Sequence, residues 1–181
     1  MLYDQLKTRR SIRKFKDLAV EQEKIEAILK SALMAPSSRG RRPWEFIAVI
    51  DNDLLTQLSL CRDHGSAFLK GVPLAIVVAA DKEACDIWIE EASIVAILIQ
   101  LAAQDLGLGS CWIQVRERYQ SEQKKTEDYI KDCLSIPEQY AVECVIAIGY
   151  PDEVKKPHDE NTLLYEKIHF NQFNDKMTKG N

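Results

Sequence analysis

Histidine is scarce in this chain. The three that occur, His64, His158 and His169, share no metal-ligand spacing. Cysteine does not make up the deficit. There are five, at 61, 85, 111, 133 and 144, an odd number with no C-x-x-C pair. That pattern speaks against a zinc site and against the disulfide framework of a small secreted protein. Cys111 in "GSCWI" and Cys144 in "VECVIAI" stand among apolar residues, where a free thiol behaves as a small hydrophobe. A reduced, cytoplasmic protein without metal is expected. No His–Asp or Cys–His pairing is visible either, so a catalytic triad is not expected. Long apolar runs are also missing. The longest, "SIVAILIQLAAQDLGLG", is broken by Gln100, Gln104 and Asp105, short of the roughly 20 apolar residues of a membrane span. The first residues lack the apolar stretch of a secretory signal, so neither export nor a membrane is expected. Neither the Walker pattern nor G-x-G-x-x-G is present. Basic residues are outnumbered, 24 Lys and Arg against 28 Asp and Glu, giving net charge -4 and pI ≈ 5.5. This argues against bulk affinity for nucleic acid, which a basic domain would provide.

What is present fits one globular domain. The 181 residues suffice for a sizeable core. A single domain over 1–181 is expected, with 151–181 as a C-terminal arm carrying Tyr165, Phe170 and Phe173; nothing in 174–181 asks for order. Residues 2–8 can form a short helix. Residues 21–34 set Ile25, Ile28, Leu29, Ala32 and Leu33 on one helical face, with Pro36 just past the end. Strands are expected over 45–51, 73–81, 110–115 and 141–150, and helices over 52–61, 86–106 and 121–134. The helix 86–106 is apolar on nearly every side after Ile94 and should be central, ending at Gly107 and Gly109. Four main strands interleaved with four or five helices read as a mixed α/β or α+β sandwich.

Against the acidic total stands "KTRRSIRKFK", residues 7–16, six of whose ten residues are Lys or Arg. Arg9, Arg10, Ser11 and Arg13 place three guanidiniums and a hydroxyl within five residues. Arg grips phosphate as a planar fork and keeps its charge. A solvated charged face is the plain alternative. Three further segments have equally plain readings alone. "APSSRGRRPWEF" offers Ser37, Ser38, Arg39, Arg41 and Arg42 on a Pro-bounded loop before Trp44. "GLGSCWIQV" leads from the central helix into an extended run through a Gly-rich turn, which lets a ligand approach the backbone closely. "VIAIGYPDE" is a strand leaving into a turn.

In this order and at these spacings the four segments resemble the FMN-dependent nitroreductase family over nearly the whole chain. The resemblance implies an α+β fold with a central, mostly antiparallel sheet of four to five strands flanked by helices. It also implies an intertwined homodimer with two FMN sites at the interface. Carried over by position, Arg9, Arg10, Ser11 and Arg13 would hold the FMN phosphate and ribityl chain. Pro36, Ser37 and Ser38 would approach the flavin from the other subunit. Trp112, Ile113 and Gln114 would line the isoalloxazine, with the Gln114 backbone N–H near N5. Glu90 and Glu91 fall where the family's long helix passes the site, with no role assigned. Two places depart from the family. Gly40 and Arg42 stand where an Asn and a Gln are common, so Arg42 would meet the pyrimidine edge and favour an anionic reduced flavin. After the "GYP" turn, Lys155, Lys156 and His158 offer no clean match to the usual basic residue, and the role of closing on the phosphate goes to Lys156. The implied activity is ping-pong hydride transfer from NADH or NADPH, through flavin N5, to a nitroaromatic, quinone or similar electron-poor small molecule. A flavin-handling protein without reductase turnover is the main alternative. A nucleic-acid or anion-binding module is the other, and the acidic balance argues against it.

Overall fold

A computed structural model of the chain describes residues 1–176; the end of the segment 174–181 lies outside the described residues. Two compact units emerge, one built from residues 9–155 and the other from Met1–Thr8 together with the chain from Lys156 onward.

The larger unit is organised by a four-stranded antiparallel sheet. Its strands are β1 (Trp44–Val49), β2 (Leu74–Asp81), β3 (Gly109–Gln114) and β6 (Tyr140–Gly149), in the spatial order β1-β2-β6-β3. The central pair has the sequence that its position requires. Nearly every residue of β2 and β6 is apolar and buried, because both faces of the sheet are covered. Alternation divides β2 cleanly. Leu74, Ile76, Val78 and Ala80 face a layer made by α2 (Gln22–Leu33) and α4 (Trp88–Asp105). Ala75, Val77 and Ala79 face the opposite layer, built from α3 (Asn52–Leu58) and α5 (Thr126–Leu134). Asp51 starts α3 as an N-cap, its side chain accepting the Leu54 N–H at 2.9 Å.

Three expectations shift. The helix expected over 121–134 begins only at Thr126. Residues before it form a small ribbon of β4 (Tyr119–Ser121) and β5 (Lys124–Lys125). That ribbon is mostly polar and exposed, so it leaves no apolar period to read. The helix expected over 52–61 stops at Leu58. The central helix buries one stripe, Ala92, Val95, Ala96, Ile99 and Ala103, while Ile94 is exposed and Ile97, Leu98 and Leu101 are only partly covered. An all-round apolar helix thus keeps one open apolar side within a single chain.

The smaller unit carries α1 (Leu2–Thr8), which buries none of its residues. The Lys7 carbonyl accepts the His158 N–H at 2.9 Å, and the Lys7 ammonium pairs with Glu160. Phe173 stacks on His169 at 4.5 Å and is exposed, as is Phe170. Among the described residues no helix is long and apolar enough to cross a membrane.

Candidate active site

The basic segment is built into the sheet edge. Ser11 bridges Ser110 on β3 in parallel, and Ile12 N–H donates to the Ser110 carbonyl at 3.0 Å. Farther on, Lys16 N–H donates to the Tyr150 carbonyl and Asp152 N–H to the Lys14 carbonyl, both at 2.9 Å. Ile12 is buried, so the segment is anchored by its one aliphatic side chain. Two glycines make the close approach possible. A Cβ on Gly109 would lie 2.9 Å from Ile12, and one on Gly149 would lie 2.7 Å from Pro73 and 3.0 Å from Phe15. Gly109 therefore serves the docking of residues 9–16 onto β3. The sequence alone had suggested ligand access for that turn.

The anchoring gathers charge. Cys111, the next residue on β3, is packed, and burial pushes its thiol up. Arg13 and Arg9 pull it back electrostatically, and the Ser11 hydroxyl does so by hydrogen bonding. Ser11 thus lies against the strand edge, with Arg9 and Arg13 two residues to either side of it. Arg9, Arg10 and Ser11 are half-buried and Arg13 is exposed. Glu153, which the sequence reading passed over, holds the segment from below. Its carboxylate accepts the Arg13 N–H at 2.6 Å and the Lys14 N–H at 3.2 Å, and pairs with Lys155 at 2.6 Å. The Arg13 amide first, then Lys155, hold the Glu153 carboxyl down at about 2. Lys155 is thereby occupied; Lys156 belongs to the smaller unit.

Along the same strand, Trp112 and Gln114 share a face with one another. The Trp112 indole N–H donates to Gln114 Oε1 at 2.9 Å, and Gln114 Nε2 donates to the Arg116 carbonyl at 3.1 Å. Both side chains remain half-exposed. Ile113 points the other way and is buried in the α3/α5 layer, so only its backbone is offered on this face.

The loop 36–43 is anchored elsewhere, on the start of α4. Ser38 N–H donates to Glu91 Oε1 at 2.6 Å, and Arg41 pairs with Asp86 at 2.9 Å. Arg42 N–H donates to Ser37 Oγ at 2.8 Å. Arg39 and Arg42 adopt left-handed backbone, with φ of 54° and 48°, a conformation that costs a non-Gly residue. These bonds hold the loop in it. Pro36, Ser38 and Arg42 stay exposed and Ser37 half so. Glu91 is buried and its other oxygen, Oε2, has no hydrogen-bond partner; Glu90 beside it is exposed. The periodicity of an apolar helix gives no hint of that difference. Among the described residues no group of His, Cys, Asp and Glu could hold a metal ion.

The site therefore consists of a cationic cradle and a flat aromatic-amide surface on one edge strand, with a stiffened polar loop on the long helix. Guanidiniums beside a hydroxyl suit an anion such as a phosphate, and the indole–amide pair offers a flat surface. Comparison with known proteins names the family. The model of the nitroreductase family matches residues 6–60 and 55–150. A protein of Archaeoglobus fulgidus, provisionally assigned as an NADH dehydrogenase/NAD(P)H nitroreductase, is 40% identical over 90% of this chain and 92% of its own. One of Methanothermobacter thermautotrophicus with the same assignment is 36% identical over 93% and 85%. The solved structure of an FMN-dependent nitroreductase from Clostridium difficile is 56% identical, covers 93% of this chain and 98% of that one, and superposes with a TM-score of 0.92. The chain belongs to the nitroreductase family and is an oxidoreductase.

Proposed function

We propose that the chain binds FMN on the β3 edge and, as a homodimer, transfers hydride from NADH or NADPH to a nitroaromatic, quinone or similar electron-poor acceptor in a ping-pong cycle. The observation that carries this reading is the docking of the segment bearing Arg9, Ser11 and Arg13 on the strand that also presents Trp112 and Gln114. A phosphate monoester carries close to two negative charges, and fixed guanidiniums with a hydroxyl are the donor set that suits it. Trp112 and Gln114 lie two positions apart, about 7 Å along the strand, and offer an apolar plane with an amide at its end. The names of the Archaeoglobus and Clostridium relatives, which mention NAD(P)H and FMN, agree with this set of partners.

When bound, FMN supplies the two-electron carrier between donor and acceptor. The protein's own residues bind, orient and shield it. Arg9, Arg10, Ser11 and Arg13 hold the phosphate end. Trp112, Gln114 and the Ile113 backbone line the ring system and exclude water. Pro36, Ser37, Ser38 and Arg42 of a second copy close the site, and Arg42 there favours negative charge placed beside it. The second copy also accounts for surfaces a lone chain leaves open. These are the exposed Ile94 of α4, with Ile97 and Leu98 beside it, and the exposed Leu2, Tyr3 and Leu6 of α1. Exposed apolar side chains on each of these helices suit contact with a partner. A cytoplasmic location, where nicotinamide donors are available, completes the reading.

The test is FMN retention by the combined Arg9→Ala and Arg13→Ala variant. Charge-assisted hydrogen bonds contribute about 1.5–3 kcal/mol each, so FMN affinity should fall more than ~100-fold. Unchanged flavin content after gel filtration would sink the phosphate assignment.

A further inference from the structure

Strand β6 reads Tyr-Ala-Val-Glu-Cys-Val-Ile-Ala-Ile-Gly, and Glu143 is its one charged residue. It is also the residue its neighbour strand skips. Val78 pairs with Cys144 and Ala79 with Val142, so Glu143 is the extra residue of a β-bulge. A bulge re-aims a side chain and ends regular pairing, and both happen here. Past the last β3 pair, Gln114 with Cys144, the Glu143 carbonyl accepts two amides, those of Val115 and Arg116, each at 3.2 Å. The carboxylate is buried, 4% exposed. Its Oε2 lies 3.5 Å from Arg116 Nε, and neither of these two buried atoms makes a hydrogen bond. An apolar side chain would fill the bulge without the desolvation that a buried carboxylate suffers.

We propose that Glu143 is a positioning residue of the site: it holds Arg116 by carboxylate and carbonyl, the Arg116 carbonyl orients the Gln114 amide, and that amide fixes the Trp112 indole on the face of β3. The claim rests on the FMN-site reading above. The physical reason lies in donor and acceptor roles. An amide has a donor end and an acceptor end, and its neighbours decide which way round it sits. Gln114 Nε2 donates to the Arg116 carbonyl at 3.1 Å, and Arg116 is held in turn by Glu143, whose carbonyl accepts the Arg116 N–H at 3.2 Å and whose Oε2 lies 3.5 Å from Arg116 Nε. Gln114 Oε1 is thereby left for the Trp112 indole N–H. If the amide turned over, its NH2 would oppose the indole N–H and the ring would be released. Burial pushes the Glu143 carboxyl up, and Glu127 and Glu90 push the same way, while Arg116 and Gln114 pull it down. Burial prevails, and the Glu143 carboxyl lies above its ordinary value.

The test follows the Trp112 indole N–H by NMR in FMN-free protein, with Trp44 and Trp88 as internal controls. Glu143→Gln is expected to speed hydrogen exchange at Trp112 at least tenfold and leave the other two indoles unchanged. In a Gln114→Ala background, the same substitution should add nothing. In parallel, the FMN dissociation constant should rise threefold or more in Glu143→Gln. Should that variant not fold, Arg116→Met, at a half-exposed position, takes its place with the same expectations. Unchanged Trp112 exchange, an equal effect on all three indoles, an effect independent of Gln114, or an unaltered FMN constant each overturns the proposal. A parent protein that binds no FMN would instead overturn the site reading, and the exchange data would stand apart from it.

Discussion

At the scale of single residues, the site depends on carboxylates that act from beneath it. Glu91 holds the amide of Ser38 and thereby a loop with two left-handed arginines. Glu91→Ala should cost about 1.5–3 kcal/mol, the contribution of a hydrogen bond to a charged group. It should also expose Arg39, Arg41 and Arg42 to trypsin. Cleavage in this loop at the parent's rate would show that Ser38 does not need the anchor. Glu153 gives a pH-dependent case. Its carboxyl lies near 2 against an ordinary 4.5, so the folded state favours the ionised form. The stability it supplies is complete above the ordinary value and is lost as pH falls toward the depressed one. The melting temperatures of the parent and Glu153→Gln should therefore differ at pH 7 and converge between about 4.5 and 2. A constant difference across that range would remove Glu153 as the anchor of residues 13 and 14. Of these acids the sequence drew attention only to Glu91, beside Glu90 and with no role assigned. Glu143 sits in a run that reads as a buried strand, Glu91 in one that reads as a buried helix, and Glu153 in a polar turn. Periodicity reports which face is apolar, and it says nothing of what a lone carboxylate on that face will meet.

At the scale of elements, the sequence was most informative where burial was complete. Strands β2 and β6 are uninterrupted apolar runs, and α2 carries a regular stripe. The ribbon at Tyr119–Lys125 was missed because its residues are polar and few, so the helix after it seemed to start early. The basic segment was legible as a charge cluster, yet its path along β3 was not, because docking depends on two glycines far away in sequence. Gly149→Ala makes that dependence measurable. The added methyl would meet Pro73 and Phe15 inside ordinary contact distance, and overpacking of this kind costs about 1–3 kcal/mol. Urea denaturation should show a lower midpoint with an unchanged slope. A midpoint equal to the parent's would mean that Pro73 or the 9–16 segment yields freely.

At the scale of the whole molecule, α4 leaves Ile94 exposed and α1 buries none of its residues. A second copy is the cover that the shared-site reading requires, and sedimentation velocity should find a dimer whose melting temperature rises with added FMN. A monomer that still holds flavin would remove the interface site and leave the phosphate cradle intact. The central claim, that this nitroreductase-family chain turns over a bound flavin, is tested most directly by the visible absorption spectrum of the purified protein in the absence of oxygen, before and after NADH and NADPH are added. A yellow protein that bleaches with one donor and recovers its colour with a nitroaromatic or quinone is the expected result. A protein that stays yellow with both donors, or takes up no FMN at all, would contradict it.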